Sequence, residues 1–124
     1  MKSARRPLTA AELEVMHEVW ERSPVTVREV HERLRERKPV AYTTVMTLMN
    51  ILEGKGRLRR RKEGRAFVYE PTQPKSEVLS GLVSDFLEKV FAGSARSLLV
   101  SLVRDRKLGA PDLEEIRRLV KEAK

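Results

Sequence analysis

The residues best suited to chemistry in this sequence form a run of cations. Six positive side chains fall within the nine residues from 57 to 65, namely Arg57, Arg59, Arg60, Arg61, Lys62 and Arg65. A charged surface that serves only solubility normally mixes both signs, whereas Glu63 is the one carboxylate in this run. The run therefore predicts contact with the phosphates of a nucleic acid.

Catalytic or metal chemistry has much weaker support. The chain has no cysteine, and its two histidines, His17 and His31, do not stand at metal-ligand spacing, so we expect both to be surface residues. No Gly-rich phosphate loop, nucleophile elbow or pair of catalytic carboxylates stands out. We therefore predict a binding protein and not an enzyme, without a metal or any other cofactor.

The chain as a whole is basic, with 26 Lys and Arg against 18 Asp and Glu and a formal net charge of +8. Residues 1–75 hold 17 basic and 10 acidic side chains, whereas residues 76–124 hold 9 basic and 8 acidic ones. This asymmetry indicates a different function for each part. Lys2, Arg5 and Arg6 could add a second anion-binding arm or be only a charged terminus. The lack of cysteine and of any long apolar run predicts a cytoplasmic protein without membrane insertion.

Two capping boxes predict where helices begin ahead of the cationic run. Thr9 with Glu12 starts a first helix over about residues 10–22. Thr26 with Glu29 starts a second, shorter helix, which we expect the next proline to end.

A third helix is predicted from Tyr42 to Gly54, with an apolar face made of Val45, Leu48, Met49 and Leu52. At 100° per residue, the opposite face carries Thr43, Thr44, Met46, Thr47 and Asn50. Thr and Met can touch a thymine methyl group and Asn can make two hydrogen bonds to adenine, so this face suits the edges of DNA bases. An ordinary solvated face has the same composition, and only the cationic run that follows favours DNA.

The cationic run lies in a predicted β-hairpin from Arg57 to Pro71. With Glu63-Gly64 as a two-residue loop, Leu58 pairs with Tyr69 and shares a face with Phe67. We expect these three side chains to anchor the hairpin to the helices while Arg59 and Arg61 face away.

Three helices followed by a basic hairpin are the order of a winged helix-turn-helix. The predicted fold is mostly α with a small β-hairpin wing (α+β), and the winged helix occupies residues 1–74. In this architecture the third helix enters the major groove and the wing lies along the DNA backbone. The predicted DNA contacts are Thr43, Thr44, Met46, Thr47, Asn50, Arg59, Arg60, Arg61, Lys62 and Arg65.

Residues 75–124 are predicted to form a helical dimerisation domain, with helices at about 76–91, 94–104 and 112–123. Their apolar residues cover more than one helix face, which one small chain cannot bury alone, so we expect packing against a second copy. Packing against the N-terminal domain is the alternative. The predicted interface residues are Leu82, Phe86, Val90, Leu98, Leu102, Leu113, Ile116, Leu119 and Val120.

Three motifs resemble, in their order along the chain, those of the penicillinase-repressor family, BlaI/MecI/CopY: Thr9, Glu12, Val15-Met16 and Trp20, then residues 41–56, then residues 64–71. The tail at residues 89–103 also follows the pattern of this family. The likeness extends over nearly the whole chain. It implies a homodimeric transcriptional repressor that occupies a palindromic operator, with a winged helix on each subunit and interlocking C-terminal helices.

The resemblance also implies ways in which such a repressor is switched off. β-Lactam-responsive members are cleaved in a signalling pathway that begins at a membrane-bound sensor protease, and the matching bond here is Ser101-Leu102. Those members carry Asn-Phe at that bond, so the sequence argues against control by this cleavage. Copper-responsive members carry paired cysteines in the tail, and this chain has none.

Two other functions fit the same fold. A winged helix can serve only to bind protein, which would place hydrophobic residues on the outer face of the third helix. Only Met46 and Ile51 favour this alternative. The chain could also be a regulator that binds a small effector between wing and tail.

Overall fold

The computed structural model describes residues 7–123, so the predicted arm of Lys2, Arg5 and Arg6 lies outside the described residues. It has the predicted order of three helices, a hairpin and three further helices, which confirms the mostly α fold with a wing. The elements are α1 (Ala10–Arg22), α2 (Val27–Leu34), α3 (Tyr42–Gly54), β1 (Leu58–Glu63), β2 (Ala66–Pro71), α4 (Lys75–Phe91), α5 (Ala95–Arg104) and α6 (Ala110–Glu122). Two compact units are present, and the division between them falls within α4, after Val78.

Both capping boxes are present and start α1 and α2 as predicted. At α1, the Glu12 amide donates to Thr9 Oγ1 over 3.1 Å and the Thr9 amide donates to Glu12 Oε1 over 3.0 Å. Thr26 and Glu29 repeat this exchange at α2. Each exchange satisfies two amides that the first helical turn leaves without a partner.

The end of α2 differs from the prediction, because the helix stops at Leu34 and not at Pro39. Leu34 is the last buried side chain of this segment, and residues 35–39 are all exposed. Another helical turn would therefore bury no apolar surface, and tertiary packing supplies most of a short helix's stability.

The core of the first unit lies between α1, α2, α3 and the start of the wing. Its buried members are Val15, Met16, Val19, Val25, Val27, Val30, Leu34, Val45, Met49, Leu52, Leu58 and Tyr69. The loop between α1 and α2 also pairs with the wing, since Val25 and Tyr69 exchange backbone hydrogen bonds of 3.1 and 2.7 Å. This bridge, which the sequence analysis did not foresee, fixes β2 against the helices.

The predicted register of the hairpin is wrong by two residues. Leu58 pairs with Pro71, and Tyr69 pairs with Arg60. The two-residue loop is therefore Gly64-Arg65, with a φ of +64° at Gly64, as a type II′ hairpin turn requires at its first loop position. Leu58 and Tyr69 are buried as predicted, but Phe67 is 42% exposed and does not join the core.

In the second unit, neither α5 nor α6 contains a buried residue. Of the nine predicted interface residues, Leu82, Leu98, Leu102 and Ile116 are half-buried and the other five are exposed. Val90, Leu119 and Val120 are 57%, 52% and 64% exposed. None of the helices described is both long and apolar enough to cross a membrane.

Candidate nucleic-acid interface

The outer face of α3 lies where the helical period of the sequence predicted it. Val45 and Met49 are fully buried, and Leu48 is half-buried against the core. All five predicted base-reading residues, Thr43, Thr44, Met46, Thr47 and Asn50, are exposed. The helix therefore presents a continuous outer face of hydroxyl, methyl, thioether and amide groups.

An open groove of about 640 Å³ runs between α3 and the wing. Four predicted contacts line it together: Met46 and Asn50 from α3, and Arg60 and Arg65 from the wing. The remaining predicted contacts are exposed but do not line this groove, namely Thr43, Thr44, Thr47, Arg59, Arg61 and Lys62.

The other face of the wing holds two arginines in ion pairs, as alternation along β1 predicts. Arg59 Nε lies 3.4 Å from Glu70 Oε1, and Arg61 donates a hydrogen bond to Glu70 Oε2. This hydrogen bond raises the pKa of Arg61 and lowers the pKa of Glu70. One carboxylate of β2 thus offsets part of the charge of the cationic run.

The interpretation of the cationic run as six phosphate contacts is wrong for Arg57. Its side chain is buried, with 7% of the residue exposed, so it is not placed to meet an anion in solvent. Five cations of the run remain on the surface.

Three residues that the sequence analysis did not select also line the groove: Arg28, Tyr42 and Phe67. Arg28 lies in the first turn of α2, and Tyr42 is the first residue of α3. In the sequence, Arg28 and Tyr42 stand only at predicted helix starts, and Phe67 is predicted to anchor the hairpin to the helices. None of these positions indicates a groove until the neighbouring element is known.

The prediction that both histidines are surface residues is wrong for His31. This side chain is half-buried, and its Nε2 lies 2.9 Å from the Val40 carbonyl oxygen. Its ring also makes an edge contact with Tyr42, so it ties α2 to the loop before α3. Among residues 7–123, no three His, Asp or Glu side chains are grouped as a metal site needs.

The C-terminal end of α3 is held by a buried ion pair. Lys55 Nζ donates to both carboxylate oxygens of Glu12, over 2.8 and 3.0 Å, and to the Pro7 carbonyl over 2.9 Å. The side chains of Glu12 and Lys55 are 5% and 14% exposed. Because Glu12 also closes the capping box of α1, this contact fixes α3 to the start of α1.

The helix order, the exposed outer face of α3 and the cationic hairpin beside it define a winged-helix domain. Two solution structures share this fold. The DNA-binding domain of the repressor BlaI superimposes with a TM-score of 0.52 at 37% identity, covering 56% of this chain and 85% of that one. Monomeric Bacillus licheniformis BlaI in complex with the blaP half-operator superimposes with a TM-score of 0.51 at 36% identity, covering 58% of this chain and 88% of that one.

The sequence likeness extends beyond this domain. The penicillinase repressor family matches residues 8–122. Transcriptional regulator BlaI of Mycobacterium tuberculosis is 37% identical over 110 residues, covering 87% of this chain and 78% of that protein. The penicillinase repressor of Bacillus licheniformis is 29% identical over 117 residues, covering 94% and 91%. The chain therefore belongs to the penicillinase-repressor family, which confirms the resemblance inferred from its motifs.

Proposed function

We propose that this protein is a transcriptional repressor that binds operator DNA through α3 and the wing. The observation that carries the proposal is the groove between them, where Met46 and Asn50 lie opposite Arg60 and Arg65. Apolar and amide groups can read base edges, while arginines neutralise phosphates of the adjoining strand. A relative with the same fold has been solved on a half-operator.

The proposal includes a homodimer on an inverted repeat. A single winged helix reads few base pairs, whereas two of them joined in one molecule gain affinity from the second contact. The second unit supports this, because Val90, Leu119 and Val120 expose more than half of their surface in one chain. A second copy would cover these residues and hold two α3 helices about 34–36 Å apart, or a multiple of that distance.

We propose that the protein acts by regulation and not by catalysis. We also propose that it works in the cytoplasm, where it meets the DNA that it binds. A sensor-protease pathway remains a prediction from the resemblance. The Ser101-Leu102 bond lies inside α5, and both side chains are half-buried. A protease would therefore need that helix to open before it could cut the bond.

Selection from a library of random duplexes, with the full chain at stated salt, tests the DNA-binding part. The enriched duplex should be an inverted repeat whose half-sites are one helical turn apart or a multiple of it. Failure to enrich any sequence over the starting library would refute a sequence-specific repressor.

Sedimentation at micromolar concentration tests the dimer. Leu119→Asp should yield monomers, because burying an unpaired carboxylate costs several kcal/mol. The matched control Lys121→Asp puts the same group on the charged face of α6 with Glu114 and Arg117, and should remain dimeric. A monomeric wild type would contradict the dimer, and a Leu119→Asp variant that remains dimeric and binds the full repeat tightly would contradict the placement of Leu119 in its interface.

A further inference from the structure

Arg60 differs from its neighbours on β1 in how its side chain is held. Its Cζ lies 4.2 Å from the ring centroid of Phe67, and its Nε lies 3.8 Å from Glu53 Oε2. Its side chain is 38% exposed, against 66% for Arg59 and 50% for Arg61. Arg60 is thus fixed between an aromatic ring of β2 and a carboxylate in the last turn of α3.

Phe67 has no role in the core that would explain an aromatic residue at this position. It is 42% exposed and lines the groove together with Arg60. A cation over the face of an aromatic ring is attracted by the ring's charge distribution, which gives the exposed ring a function.

This arrangement leaves Arg60 able to bind an anion. A guanidinium carries five N–H donors, and attraction to a ring face uses none of them in a hydrogen bond to oxygen. With Glu53 beside Nε, the donors on Nη1 and Nη2 remain for a phosphate. A long side chain that is already held also loses less rotamer freedom when it binds.

We infer that Phe67 is a positioning residue, which together with Glu53 holds Arg60 ready for a phosphate of the DNA strand between α3 and the wing. This inference rests on the proposed function. It separates Arg60 from Arg59, whose ion-pair partner is Glu70 on the other face of the hairpin.

A double-mutant cycle on DNA affinity tests the inference with the full chain and the enriched duplex, by fluorescence anisotropy. Phe67→Leu keeps an apolar side chain but removes the ring, and should weaken binding about two- to fivefold. In the Arg60→Ala background the same change should have no further effect. Phe67→Tyr keeps the ring and should bind like the wild type.

The matched control is the Arg59→Ala background, in which Phe67→Leu should still produce its full loss of affinity. Thermal unfolding of each variant should follow the wild type, since Phe67 is largely outside the core. Additive effects of Phe67→Leu and Arg60→Ala, or an equal loss in Phe67→Tyr, would overturn this inference alone. If no duplex is enriched, the proposed function falls and this inference with it.

Discussion

Replacing Lys55 by Met should destabilise the first unit by about 3 kcal/mol at pH 7. The substitution keeps most of the apolar stem but leaves the Glu12 carboxylate buried without its cation, and breaking a buried ion pair on one side costs about 3–5 kcal/mol. The low end applies because the Thr9 amide still donates to Glu12 over 3.0 Å. For a domain of this size, the melting temperature should fall by roughly 12–24 °C.

Lys38 provides a matched control for this substitution. Its Nζ lies 3.1 Å from Glu14 Oε2, in a pair of the same chemistry whose side chains are 59% and 43% exposed. Exposed pairs contribute about 0–1 kcal/mol, so Lys38→Met should change stability little. Denaturant unfolding followed by the fluorescence of Trp20, the one tryptophan in the chain, reports on both variants.

The cost of Lys55→Met should also depend on pH. Burial alone raises the pKa of Glu12, but its hydrogen bonds and the charge of Lys55 outweigh burial and bring the pKa below the ordinary 4.5. In the wild type this contribution to stability is therefore present above pH 4.5 and is lost as pH falls through the folded-state pKa. Without Lys55 the carboxyl group takes up its proton at higher pH, so the difference in the free energy of unfolding between variant and wild type should narrow on acidification. A cost at pH 7 no larger than that of Lys38→Met, or a difference that does not narrow, would refute this reasoning.

Three further predictions concern the DNA contacts and the tail. Asn50→Ala should weaken binding to the enriched duplex by roughly 1–3 kcal/mol with little change on random duplexes, and equal losses in a competition assay would argue against base reading. Glu70→Gln should leave Arg59 without its carboxylate partner and Arg61 paired only with Glu63, so it should tighten binding to every duplex and steepen the salt dependence by up to about one unit per new phosphate contact; an unchanged slope would contradict this. Arg106 lies two residues beyond the end of α5 with a φ of 63°, so Arg106→Gly should stabilise the second unit by about 0.5–1 kcal/mol in denaturation followed by circular dichroism, and a loss of stability would contradict the cost assigned to that conformation.

The starts of α1 and α2 were predictable from the sequence because capping is local. The groups that exchange hydrogen bonds in each box are three residues apart, as in Thr9 with Glu12, so no distant part of the chain is needed to specify them. The outer face of α3 was predictable for a related reason. Four apolar residues at helical spacing fix which side of the helix is buried, and the opposite side follows from the 3.6-residue period.

The register of the hairpin was not predictable from alternation. A shift of two residues returns every side chain to the same face of the sheet, so the predicted and observed registers give the same pattern of apolar and polar positions. What distinguishes them is the backbone at Gly64, whose positive φ falls at the first loop position. The bridge between Val25 and Tyr69 then ties β2 to the helices in this register.

The sequence by itself determined the sign and location of the charge, since a run of cations needs no fold to be recognised. Only the tertiary structure decided what each arginine can do, because the partners of these side chains come from other elements. Arg57 is buried, Arg59 forms an ion pair with Glu70 of β2, and Arg60 lies over Phe67 beside the last turn of α3. Identical side chains a few residues apart thus acquire different roles, since charge belongs to a residue whereas its solvation and pairing are set by packing.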